Sequence, residues 1–264
     1  MATTPNLTQV PPLEAPLPQD ILSQLYSDML KARLLAKRWR KAPQMSEAIL
    51  AATLRNTEPT DLLVSAGLHP ILEALSGTAI AEVEPKAPKD FLDQAKKRVI
   101  GAGTEAVAGI AAGLAHALKS ATSNAIVVTV VPASVTRGAA WEQATEFAAA
   151  NRLPVVFVSD GTDSRPLRRH DGRDLSHWPF PTIAVDGRDV IAVYRVTKEA
   201  IAAARRGHGP TLVDCVNFVA PGRRGKDDRD PLATFRGYLK RHNAWSDEWA
   251  KNVQADLVRE IAGK

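Results

Sequence analysis

Two clusters of small and polar residues in this chain have the types and placement to do chemistry, because each closes an apolar run. The first is Val131-Pro132-Ala133-Ser134, with Arg137 three positions on. The second is Ser159-Asp160-Gly161-Thr162-Asp163. The oxygens of Ser134, Asp160 and Asp163 are the hard donors that a magnesium-type cation requires. Arg137 is the type of side chain that meets an anion. The same residues also have a plainer reading. Pro132 and Ala133 offer no side-chain oxygen, and Pro132 has no backbone N–H to turn toward a phosphate. Asp160 and Asp163 on either side of Gly161 are ordinary turn residues.

The elements that must position these clusters follow from periodicity. Short runs rich in Val or Ile predict strands over 125–131, 153–158, 182–186 and 211–218. A helix is expected from Ala139 to Asn151, and another from Asp189 to Arg206, capped by Asp189 and ended by Gly207. Strands alternating with helices of this length imply an α/β fold of three layers, a parallel sheet with helices on both faces. In such a sheet ligands sit where strands end and helix N-termini point, which is where both clusters fall.

Longer stretches carry a family resemblance. The runs LPVVFV (Leu153–Val158) and VDGRDVIAVYRVTKEAIAAARRGHGPTLVDCV (Val185–Val216), the closing helices, the opening helix over Ile21–Lys41 and the stretch Ser46–Ser65 resemble the alpha subunit of thiamine-diphosphate-dependent 2-oxo acid dehydrogenases of the pyruvate and branched-chain type. The resemblance runs from Asp20 to Ala262 and implies the thiamine-diphosphate-binding fold. In that family the first cluster reads Gly-Asp-Gly and the second ends in two asparagines. The Asp and the second Asn, with a backbone carbonyl, hold magnesium on the cofactor's diphosphate. Here the Gly-Asp-Gly place falls within Val131–Ser134, and the asparagine pair falls on Gly161 and Thr162.

Two further places depart from the family. Its Tyr-Arg-x-His element corresponds to Ser65-Ala66-Gly67-Leu68-His69, where His69 alone is retained, with a capping or packing role beside Pro70 as the plainer reading. Its Gly-His-Ser loop corresponds to Ala220–Asp230, which has no histidine. Arg223 and Arg224 there suit phosphate, although a mixed Arg/Lys/Asp loop is the usual composition of solvated surface. The glycine-rich loop of the family is shortened to Ala81–Val99.

The remaining signals are bounded by composition. The chain has 264 residues, 45% of them apolar and 24% charged, enough to bury a large core. No apolar run is long enough to span a bilayer, and the first residues lack a secretory leader's pattern, so a cytoplasmic location is expected. Residues 1–18 hold five prolines and are expected to form an extended or disordered arm, leaving 19–264 as one domain. A net charge of +5 and a pI near 9.4 come without a nucleic-acid-binding motif. The basic stretches Lys37–Lys41, Arg165–Arg173 and Arg223–Arg229 suit an acidic partner surface better. Cys215, inside an apolar run, reads as core. Gly101, Gly103 and Ala106 fit a loose dinucleotide pattern, yet they follow Lys96-Lys97-Arg98 where an apolar strand is required. The better reading is a small-residue helix over Thr104–Leu118, with Gly109, Ala112, Gly113 and Ala115 allowing close packing. Trp245, Trp249, Val253, Leu257 and Ile261 form one apolar stripe for docking on the core or on a partner.

These observations set the expectation of a divergent alpha-subunit-like protein that is non-catalytic and expects no cofactor. It would be assembled with itself or with a beta-type dehydrogenase subunit, without nucleic acid or membrane. Val131, Ser134, Asp160, Gly161 and Thr162 would be a vestigial cradle. The alternative is an active decarboxylating subunit holding thiamine diphosphate and magnesium in an atypical site.

Overall fold

A computed structural model describes residues 16–40, 45–67, 69–83, 97–162, 167–168, 178–219 and 230–263. The chain opens with α1 (Gln19–Arg38), in which Leu22, Leu25, Met29 and Leu35 recur at helical spacing and are buried. Then come α2 (Glu47–Leu54), β1 (Leu62–Ala66), α3 (Pro70–Leu75), a short 3-10 turn (Ile80–Glu82) and β2 (Val99–Ala102). The central part runs α4 (Val107–Ser120), β3 (Val127–Pro132), α5 (Ala139–Ala150), β4 (Val155–Gly161) and the two-residue β5 (Leu167–Arg168). It closes with β6 (Thr182–Asp186), α6 (Val190–Arg205), β7 (Thr211–Val216), β8 (Phe218–Val219), α7 (Pro231–Arg241) and α8 (Asp247–Ala262).

Six strands form one parallel sheet in the order β2-β1-β3-β4-β7-β6, and β5 pairs with β8 beside it. Alternate residues along each strand enter opposite cores. Val128, Val130, Val156, Val158, Val213 and Cys215 pack under α1, α2, α3, α6, α7 and α8. Val127, Val131, Val155, Phe157 and Leu212 pack under α4 and α5. Burial on both faces is why these strands read as continuous apolar runs with no polar alternation. The three-layer α/β architecture expected from the sequence is the one observed.

The chain moves outward from β1 to β2, returns past β1 to β3, and continues to β4. The crevice beyond the carboxyl ends of β1 and β3 is therefore a topological switch point, the place where open sheets of this class bind ligands.

Several sequence expectations shift. The strands expected over 125–131, 153–158 and 211–218 lie at 127–132, 155–161 and 211–216, while 182–186 is as expected. Two strands of the main sheet, β1 and β2, are additional, as are the two-residue β5 and β8 beside it. The strand missing before Gly103 is in fact present as β2, and Gly101 lies inside it, paired with Ser65. Four residues, one of them glycine, behind a basic run carry little strand propensity, and pairing with β1 supplies what the local sequence lacks. Helix α4 begins at Val107 rather than Thr104. Ala112 and Ala115 face the sheet as a tight layer, but Gly109 and Gly113 face open space. Trp245 precedes α8, which Ser246 caps, and the stripe docks within the chain. Trp245 and Trp249 each sit 5.1 Å from the ring of Tyr26 on α1. Residues 1–15 of the proline-rich arm and most of 165–173 and 223–229 lie outside the described residues.

Candidate functional site

The two clusters meet where β3 and β4 end side by side, with Pro132 opposite Asp160. Val131 is buried under the α4–α5 layer, Pro132 is exposed, and Ala133 donates its N–H to the Asp160 carbonyl at 2.8 Å. Ser134 is exposed at the start of the turn into α5. On β4, Asp160 has both carboxylate oxygens engaged. One accepts from the Ser46 N–H at 2.8 Å, and the other accepts from the Thr162 N–H at 2.9 Å and its hydroxyl at 2.6 Å. Asp160 thus ties the start of α2 to the end of β4. The Ser46 hydroxyl adds a bond to the Gly187 carbonyl at 3.0 Å. Thr162 is 6% exposed, and a Cβ placed on Gly187 would lie 2.6 Å from its Cγ2. Gly161, whose pair is Val216, is buried. Asp163 lies outside the described residues.

This donor set does not fit a magnesium diphosphate. By the resemblance, the Gly-Asp-Gly place falls within Val131–Ser134, where no residue has a carboxylate, and the second-asparagine place falls on Thr162, whose hydroxyl is turned onto Asp160. The carboxylate at hand is consumed by three internal donors. Those three bonds leave Asp160 about one free lone-pair position, too little to anchor a cation that wants six hard oxygen ligands in octahedral geometry. Among the described residues no group of three His, Cys, Asp or Glu side chains could hold a metal ion.

The neighbouring titratable groups are likewise structural. Cys215 is fully buried, and burial followed by the charges of Asp160, Asp214 and Asp186 pushes its thiol well above the ordinary range. A thiol held protonated is no nucleophile. Ser159 donates to Asp214 at 2.6 Å beneath the second core. After β1, the Ser65 hydroxyl donates to the Gly67 carbonyl at 2.9 Å, and Gly67 takes a positive φ of 80°. His69 is 1% exposed and caps α3, its Nδ1 accepting from the Leu72 N–H at 3.2 Å. Burial lowers its pKa to about 4, and its buried Nε2 has no hydrogen-bond partner among the described residues. Leu68, Arg223 and Arg224 lie outside the described residues.

A feature the sequence reading passed over is a groove of about 390 Å³ between the N-termini of α4 and α5. Its walls include Thr104, Glu105, Ser134, Arg137, Gly138 and Trp141. The signal was present in Arg137-Gly138-Ala139, which starts a helix without a capping side chain. The sequence shows Arg137 without its facing wall, because that wall comes from Thr104 and Glu105, far off in sequence.

Comparison with known proteins fits this architecture. The model of the family described as Dehydrogenase E1 component matches residues 47–263. The chain is 29% identical over 176 residues to the pyruvate dehydrogenase E1 component subunit alpha of Acholeplasma laidlawii, covering 58% of this chain and 51% of the relative. It is 30% identical over 167 residues to the subunit of the same name in Staphylococcus aureus strain Mu50, covering 54% and 45%. It is 29% identical over 141 residues to the 2-oxoisovalerate dehydrogenase subunit alpha of Bacillus subtilis strain 168, covering 45% and 43%. The chain spans about half the length of the curated relatives it matches. A solved structure from Mycobacterium smegmatis, provisionally described as a thiamin diphosphate-dependent enzyme, overlays with a TM-score of 0.47 at 18% identity, covering 67% of this chain and 33% of that one. Since the matched residues take in the whole six-stranded sheet and every helix but the first, the chain belongs to the dehydrogenase E1 component family and carries its three-layer thiamine-diphosphate-binding fold.

Proposed function

We propose that this alpha-subunit-like protein is non-catalytic, works without thiamine diphosphate or magnesium, and acts in the cytoplasm as part of an oligomer. Its partners would be further copies of itself or a beta-type dehydrogenase subunit. The observation that carries the reading is Asp160. The carboxylate nearest the lost metal site spends both oxygens on Ser46 and Thr162. In this family's chemistry the cofactor supplies the carbanion stabilisation and the protein supplies its position. With no carboxylate within Val131–Ser134 and Thr162 at the second-asparagine place, Val131, Ser134, Asp160, Gly161 and Thr162 act as a structural clasp that joins α2 to the sheet.

Calorimetric titration of the purified chain with thiamine diphosphate and magnesium tests the first half. The expected result is no saturable heat. Tight, magnesium-dependent binding would overturn it in favour of an active decarboxylating subunit with an atypical site. Sedimentation tests the second half. A dimer or larger species, or a complex with an added beta-type subunit, is expected, and a monomer that ignores that subunit at every concentration would refute assembly.

A further inference from the structure

We draw no further inference here: the strongest candidate, the groove between α1, α2 and α3 lined by Lys37, Arg40, Leu50 and Ile71, carries none, because its two cations are exposed side chains at the carboxyl end of α1 and nothing in the structure shows what covers its apolar floor.

Discussion

The two edges of the sheet are built on opposite principles. At the amino edge, Asp61 is wholly buried and accepts from the Glu58 N–H at 2.7 Å, the Ile126 N–H at 3.0 Å and both terminal nitrogens of Arg205 at 3.2 and 2.9 Å. Arg98 spans the same edge, donating to the carbonyls of Asp61, Ser76 and Glu58 and to the Thr57 hydroxyl. At the carboxyl edge, His69 Nε2, both amide atoms of Asn217 and Trp141 Nε1 are buried without a hydrogen-bond partner among the described residues. The amino edge is organised around one satisfied carboxylate, with Arg55 Nε and Glu73 Oε2 as its own buried atoms without a hydrogen bond among the described residues, while the carboxyl edge has no such central network. Open sheets carry their ligand sites at the carboxyl edge, and the hydrogen bonds around Asp160 lie on that same edge.

If the amino edge is the stabilising one, its central carboxylate should dominate any mutational comparison. Asp61→Ala would strand two backbone donors and leave Arg205 only the Asn124 carbonyl and the exposed Glu58 carboxylate, and should destabilise the fold by about 3–5 kcal/mol, read as a lowered urea midpoint. A loss below about 1 kcal/mol would show the network to be ornamental. Second in size is His69. Its folded pKa of about 4 lies below the ordinary 6.5, so the unfolded chain binds the proton more readily. Its contribution is complete above pH 6.5, falls as the pH drops through that window, and is gone below about pH 4. The shift corresponds to about 3 kcal/mol. His69→Asn retains an acceptor for the Leu72 N–H and does not titrate. The stability difference between the two proteins should therefore change between pH 7 and 4, and a pH-independent difference would place the orphaned Nε2 in contact with solvent.

How far these regions were legible in the sequence depends on whether their partners are local. Asp189 before α6 was readable, because a cap bonds two and three residues ahead, to Ile191 and Ala192. The buried strands were readable because burial on both faces leaves unbroken apolar runs. Strand β2 was not, because its pairing with Leu63–Ala66 comes from the sheet and not from VIGA itself. The roles of Asp160 and Asp61 were hidden for the same reason. Ser46 and Arg205 are distant in sequence, and nothing in an Asp-Gly-Thr turn says which backbone it will hold. The groove was half visible, since Arg137-Gly138 marks one wall and Glu105 the other.

The clasp itself offers an intermediate test. Gly187 has no room for a side chain, since a Cβ there meets Thr162 Cγ2 at 2.6 Å and Cys215 Cβ at 3.0 Å. Gly187→Ala should therefore destabilise by about 1–3 kcal/mol. Thr162→Ser removes the closer clash and keeps the hydroxyl for Asp160, so the double variant should recover part of the loss. A double-variant cycle showing no coupling would mean that Thr162 is not wedged against this turn, and that the cradle retains open space.

The smallest effect reverses the sign and bears on the comparison most directly. Thr129, in the middle of β3, is fully buried and its hydroxyl has no hydrogen-bond partner among the described residues. It faces Val64 and Phe157 across the two neighbouring strands. Thr129→Val preserves the shape and the β-branch while removing a group whose desolvation is uncompensated. The same replacement at a satisfied hydroxyl would remove a hydrogen bond and destabilise. If the orphaned groups are true deficits, Thr129→Val should stabilise by about 1 kcal/mol, read as a raised urea midpoint with an unchanged slope. A loss of similar size would mean that the hydroxyl finds a partner in solution. The contrast between an amino edge organised around one satisfied carboxylate and a carboxyl edge without such a network would then rest on His69, Asn217 and Trp141.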